Sequence, residues 1–127
     1  MKIIYNINIQ YKIMKVTINE KTIELKYNFR MFYLYENLME KSFNFQDIKI
    51  TNMVDLLYCA VLARQQYLKL DLLRYDDYMN WLEDNDADKT ITEFMEWIYN
   101  NVALQSELSE KPELTENTDN VEADEKN

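Results

Sequence analysis

The sequence predicts an α+β fold, mostly α: an N-terminal β-hairpin followed by three to four packed helices and a disordered acidic tail. Three observations carry this reading. Apolar residues fall at every second position in two short runs between Val16 and Tyr27, the period of a half-buried strand. From Asn28 to Val102 they recur at three- and four-residue spacing, the period of amphipathic helices. Every aromatic lies between Tyr5 and Tyr99, after which the chain becomes acidic.

Residues 1–13 alternate by themselves, with Ile3, Tyr5, Ile7, Ile9, Tyr11 and Ile13 on one side and Asn6, Asn8, Gln10 and Lys12 on the other. After Met14 the apolar phase moves to even positions, which a continuous strand accommodates only with a bulge. Two readings stand side by side. Residues 1–13 are an extra strand, or they are an upstream extension with Met14 the natural start.

Val16 and Ile18, then Ile23, Leu25 and Tyr27, flank the polar stretch Asn19-Glu20-Lys21-Thr22 and predict a hairpin with one buried face. Thr17, Glu24 and Lys26 take the wet face. The turn has no glycine, so the sequence leaves its type open. Asn28 is a suitable N-cap for a helix running to about Lys41, with Met31, Leu34, Tyr35 and Leu38 as its core stripe. Phe29 and Tyr33 fall on nearly the opposite side of that helix. A connection holding Phe43, Phe45, Ile48 and Ile50 follows.

Thr51 is the expected cap of a helix over roughly 52–68. Met53, Leu56, Leu57, Ala60, Val61 and Leu68 make it the most apolar and therefore the central one. A further helix over about 75–84 carries Tyr75, Tyr78, Met79 and Leu82. The last opens with Thr90-Ile91-Thr92-Glu93, a capping-box pattern, and continues with Ile91, Phe94, Met95, Ile98 and Val102 on one face. The folded part is expected to stop near Gln105.

Residues 107–127 hold eight acids against Lys111 and Lys126, so −6 of the formal −9 lies there and −3 remains for residues 1–106. They also hold the single proline, Pro112, and little that could be buried against the entropy of ordering. The expected organisation is a 1–13 extension, one globular domain over 14–106, and a disordered acidic tail over 107–127.

The residue inventory opposes catalysis. The chain has no histidine, and hence lacks the usual general base near neutral pH and the commonest transition-metal ligand. It has no glycine, which rules out a P-loop or a dinucleotide fingerprint. Cys59, the single cysteine, sits between Leu56 and Val61 on an apolar face, reads as core, and suits a reducing cytoplasm. Asp84-Asn85-Asp86-Ala87-Asp88 matches the first, third and fifth positions of a calcium loop. Lys89 and Met95 stand where that loop requires glycine and a bidentate carboxylate. No catalytic, cofactor or metal residue is therefore assigned.

Arg64, Lys69 and Arg74 are the one loose basic grouping in a net-negative domain, so nucleic acid is not an expected partner. The longest apolar run, Leu56 to Ala63, is far short of the ~20 residues a bilayer requires. Trp81 and Trp97 each lie about 100–120° from the centre of their helix's stripe. Either both helices bury wide faces, or the two rings form an aromatic edge for a protein partner. With Phe29 and Tyr33 they are the candidate partner-binding residues.

Residues 14–30 (MKVTINEKTIELKYNFR) and 34–43 (LYENLMEKSF) resemble the opening of the tail assembly chaperones of long-tailed bacteriophages. The likeness continues through VDLLYCAVLA at 54–63, YDDYMNWLED at 75–84 and FMEWI at 94–98, covering about residues 14–104. Its weight lies in the order of these elements, because the family has no catalytic motif to match. Similar proteins often carry glycine where Glu20 and Glu40 stand here. The resemblance implies a protein that coats the tape measure protein during tail morphogenesis in the host cell cytoplasm and is absent from the finished virion. It implies the tape measure protein as partner, with the tail tube protein a further one, and is compatible with a homo-oligomer. The alternative from another class is a small acidic phage or mobile-element interaction protein, such as an inhibitor of a host defence protein or a nucleic-acid mimic.

Overall fold

Alternation around a two-residue turn produces the hairpin at the N-terminal end of the described chain. The structure, a computed structural model, describes residues 12–114, with side chains to Ser106; the remainder of the expected extension and tail lies outside the described residues. Strands β1 (Lys15–Ile18) and β2 (Lys21–Glu24) pair antiparallel, with Val16 opposite Ile23 and Ile18 opposite Lys21. The Leu25 amide donates to the Met14 carbonyl at 2.9 Å and lengthens the ladder by one pair. Met14, Val16, Ile18, Ile23 and Leu25 are all buried, as the alternation requires. On the other face the hydroxyls of Thr17 and Thr22 meet at 2.9 Å.

Asn19 (φ 53°) and Glu20 (φ 65°) are both left-handed, so the turn is of type I′. Asparagine tolerates this conformation; glutamate accepts it at a cost. Glu20→Gly should therefore stabilise the protein by about 0.5–1 kcal/mol, read as a raised denaturant midpoint at constant slope.

Helix α1 (Phe29–Met39) begins where expected, the Asn28 side chain accepting from the Met31 amide at 3.3 Å. It ends at Glu40, left-handed at φ 60°, whose amide reaches the Glu36 carbonyl. Met31 and Tyr35 are buried, but Leu38 is 50% exposed. The expected stripe is one residue too long, because the helix stops one residue after Leu38.

Helix α2 (Ile50–Leu68) is buried almost all round from Leu56 to Ala63, which makes it the central element, as its apolarity predicts. Its start differs from expectation. Thr51 lies inside the first turn, and Asn52 caps from the third helical position by accepting the Lys49 amide at 3.2 Å. Its end is a Schellman motif. Lys69 is left-handed at φ 62°, and Leu70 and Lys69 donate to the carbonyls of Gln65 and Gln66.

Two α2 side chains fix the connection that follows. Buried Gln65 accepts the Leu73 amide at 2.8 Å, and Tyr58 donates to the Leu73 carbonyl at 2.7 Å. A third bond ties α2 to the hairpin, from Arg64 Nε to the Glu24 carbonyl at 3.0 Å.

Helix α3 (Tyr75–Asp84) has the expected bounds and buries Tyr78 and Leu82. The Tyr78 hydroxyl donates to the Val54 carbonyl on α2. Helix α4 (Ala87–Leu114) starts three residues before the expected Thr90. Asp86 takes the capping role, accepting the Lys89 amide at 3.3 Å, while Thr90 donates instead to the Asn85 carbonyl at 2.7 Å. Aspartate is as good a cap as threonine, and this one comes first.

The helix also outruns the expected boundary near Gln105 by nine residues. The stretch 106–111 contains neither glycine nor proline, and the first breaker is Pro112 in the last turn. Residues 107–114, assigned to the tail on their charge, Pro112 and scarcity of apolar residues, are therefore helical.

Residues 13–97 form one compact unit. The described remainder, Lys12 and residues 98–114, belongs to a second. Within the first unit α1, α2 and α3 are joined by the bonds above and by the Tyr35–Asn52 contact at 3.2 Å. The result is the α+β, mostly helical arrangement that the sequence predicts, with a two-stranded hairpin leading four helices.

Candidate partner-binding surface

The geometry of α1 presents Phe29 and Tyr33 one turn apart on a single face, since residues four apart stack along a helix. Phe29 is 78% exposed and Tyr33 is 52% exposed, with ring centroids 5.7 Å apart. Between them on the helix lies Phe32, half-buried, which touches Phe43 at 6.2 Å and Phe45 at 5.9 Å. Phe45 is itself exposed, so aromatic surface continues from α1 onto the following connection.

Rings anchor this surface from below. Phe32 meets Tyr27 edge-on at 5.5 Å, Tyr27 meets Trp97 at 6.1 Å, and Trp97 stacks on Phe94 at 5.8 Å. Each such contact adds about 0.5–1.5 kcal/mol beyond area burial. The α1 helix that bears the exposed rings is thus backed, through Phe32, by a packed aromatic column.

Trp97 is a correction to the sequence reading. It is 2% exposed and belongs to this column, not to an aromatic edge. The reason is rotational. Ile91, Phe94, Trp97 and Ile98 are all buried, so the buried arc of α4 is turned by roughly 50° from the stripe that Ile91, Phe94, Met95, Ile98 and Val102 suggested.

The same turn occurs in α3. Tyr75 is 39% exposed, while Trp81 is half-buried, stacks against Tyr78 at 6.1 Å and donates from Nε1 to the Thr17 carbonyl at 2.8 Å. Trp81 therefore docks α3 on the hairpin. The structure does not unite the four expected residues: Phe29 and Tyr33 lie together at the surface, Trp81 sits against β1, and Trp97 is in the core. Phe45 was missed because a connection has no period from which to read a face.

Asp84 ends α3 and Asp88 lies in the first turn of α4, so the calcium-like run is split between two helices. Among the described residues no cluster of three metal-ligating side chains occurs. No described helix is long and apolar enough to cross a membrane. Arg64, from the loose basic grouping, is occupied with Glu24 and lies 4.9 Å over the Tyr67 ring.

Burial, with the nearby Asp55 charge, pushes the Cys59 thiol up to about 12, so it is protonated and inert at neutral pH. Burial likewise raises the phenols of Tyr27, Tyr35, Tyr58 and Tyr78, and takes Tyr75 to about 12 with help from its 2.7 Å bond to Asp55. A raised folded value means the fold favours the protonated phenol. That stability is complete below the ordinary value of 10.0 and is lost as pH rises through about 12. Loss of helical circular dichroism should therefore accompany ionisation of these five phenols between these limits; ionisation of every tyrosine with the helix retained would contradict the burial of these rings.

No protein-family model matches the chain, and neither the curated proteins nor the solved structures give a significant match.

Proposed function

We propose that this chain is a binding protein without catalytic activity, a tail assembly chaperone of a long-tailed bacteriophage that holds the tape measure protein in solution in the host cell cytoplasm until the tail tube assembles around it. The observation that carries the reading is the pair of exposed rings, Phe29 and Tyr33, on a helix backed by a packed aromatic column. An amphipathic client helix needs such an apolar ridge of rigid rings to cover its own stripe. The formal charge of −9 opposes self-association of the complex.

Backbone geometry adds independent support. Similar chaperones often carry glycine at the places of Glu20 and Glu40, and both residues are left-handed here, at φ 65° and 60°. These are conformations that glycine adopts freely and glutamate does not.

The test is co-expression with the tape measure protein of the same genome, followed by affinity capture. A soluble complex with a client that is insoluble alone is the expected result. A client equally soluble without this chain, or no co-purification, overturns the reading.

A further inference from the structure

The hairpin has only two strands, so the outer edge of β1 is not covered by a third strand among the described residues. Its register determines which backbone groups that edge offers. Ile18 and Lys21 flank a two-residue turn and exchange hydrogen bonds, as do Val16 with Ile23 and Met14 with Leu25. Lys15 and Thr17 therefore point their amides and carbonyls away from β2. The 2.8 Å bond from Trp81 to the Thr17 carbonyl is direct evidence of that direction. Among the described residues the Lys15 amide, the Lys15 carbonyl and the Thr17 amide have no partner.

This edge opens into a groove of about 490 Å³ between β1 and the α3–α4 turn. That is the size of an ordinary ligand cleft and suits a short stretch of extended chain. The far wall carries Trp81, Asp84, Asp86, Lys89 and Glu93. With Lys15 on the near side the groove holds three carboxylates and two ammonium groups, and the excess negative charge lies on the far wall. Its presence also keeps a flat sheet from approaching, so the edge is shielded against edge-to-edge aggregation yet still admits a single strand.

We propose that this groove binds an extended, basic segment of a partner protein by strand addition to β1. Backbone bonds to the Lys15 amide and carbonyl and to the Thr17 amide supply the affinity, the Thr17 carbonyl staying with Trp81. Alternate side chains of the added strand face the helix wall, where lysine or arginine at every second position meets Asp84, Asp86 and Glu93. The site is separate from the α1 rings and does not depend on the chaperone reading.

The probe is a nine-residue peptide alternating valine and lysine, blocked at both ends and titrated into the isotopically labelled full chain. Saturable shifts and slowed exchange at the Lys15 and Thr17 amides are expected. The same peptide N-methylated at alternate residues along its pairing edge should bind at least tenfold more weakly, and its valine–glutamate counterpart should not bind. Asp84→Asn combined with Glu93→Gln should weaken binding at least threefold without altering the hairpin resonances.

Equal binding of the methylated peptide overturns the proposal, as does the absence of saturation or a response confined to Phe29 and Tyr33. Concentration-dependent shifts at Lys15 and Thr17 without peptide would assign the edge to a second copy of this chain, and overturn it equally.

Discussion

Replacing Trp97 with alanine should lower the unfolding free energy by about 3–5 kcal/mol, the usual cost of truncating a large buried aromatic. The side chain is 2% exposed and joins Phe94 to Tyr27 within the column beneath α1. Truncation leaves a cavity lined by rings that cannot collapse into it, because Tyr27 is also held by Phe32 and Phe94 by its place on α4. Against a typical total of about 5–15 kcal/mol this is a large fraction, equivalent to roughly 10–20 °C in thermal midpoint. Trp97→Phe should recover much of the loss by refilling part of the volume. Trp81→Ala should cost less, since the Thr17 carbonyl it releases opens onto a groove that water can enter. Denaturant titration of the three variants decides the matter. A Trp97→Ala loss below about 1 kcal/mol would put the ring at the surface and restore it to the candidate binding residues.

That contrast shows which parts of the molecule were legible in the sequence. The hairpin, the N-cap of α1 and the bounds of α3 follow from periodicity and cap chemistry, because those signals are local. The turn type was not legible, since left-handed Glu20 and Glu40 occupy places where local preference argues for glycine. The start of α4 was misplaced by a competition between two adequate caps, Asp86 and Thr90, which only tertiary placement resolves. Its far end was misplaced because charge, Pro112 and few apolar residues were taken as signs of disorder, although Ser-Glu-Leu-Ser-Glu-Lys is acceptable helix sequence.

The site divided along the same line. Phe29 and Tyr33 could be read as exposed because they stand opposite Met31 and Tyr35, which are buried. Trp97 stayed open between core and edge because a small error in the assumed centre of the α4 stripe moves a ring from one side of the boundary to the other; the structure buries it.

Phe29→Ala combined with Tyr33→Ala should abolish capture of the tape measure protein while leaving the fold almost unchanged. Both rings are mostly in solvent, so the stability at stake is their mutual i,i+4 contact, worth about 0.2–0.5 kcal/mol. In a complex the same rings would be fully desolvated, and a hot-spot aromatic then contributes about 2 kcal/mol or more, roughly 30-fold in affinity for each ring. The two scales differ enough for one double variant to separate a binding role from a structural one. The expected result is a thermal midpoint within about 2 °C of the parent and a client that returns to the insoluble fraction. Phe45→Ala should give a weaker form of the same loss, because Phe45 continues the surface from Phe32 and is only partly exposed. Capture that survives the double substitution would remove α1 as the client surface, whereas lost capture accompanied by a large fall in midpoint would show that these rings support the column beneath them.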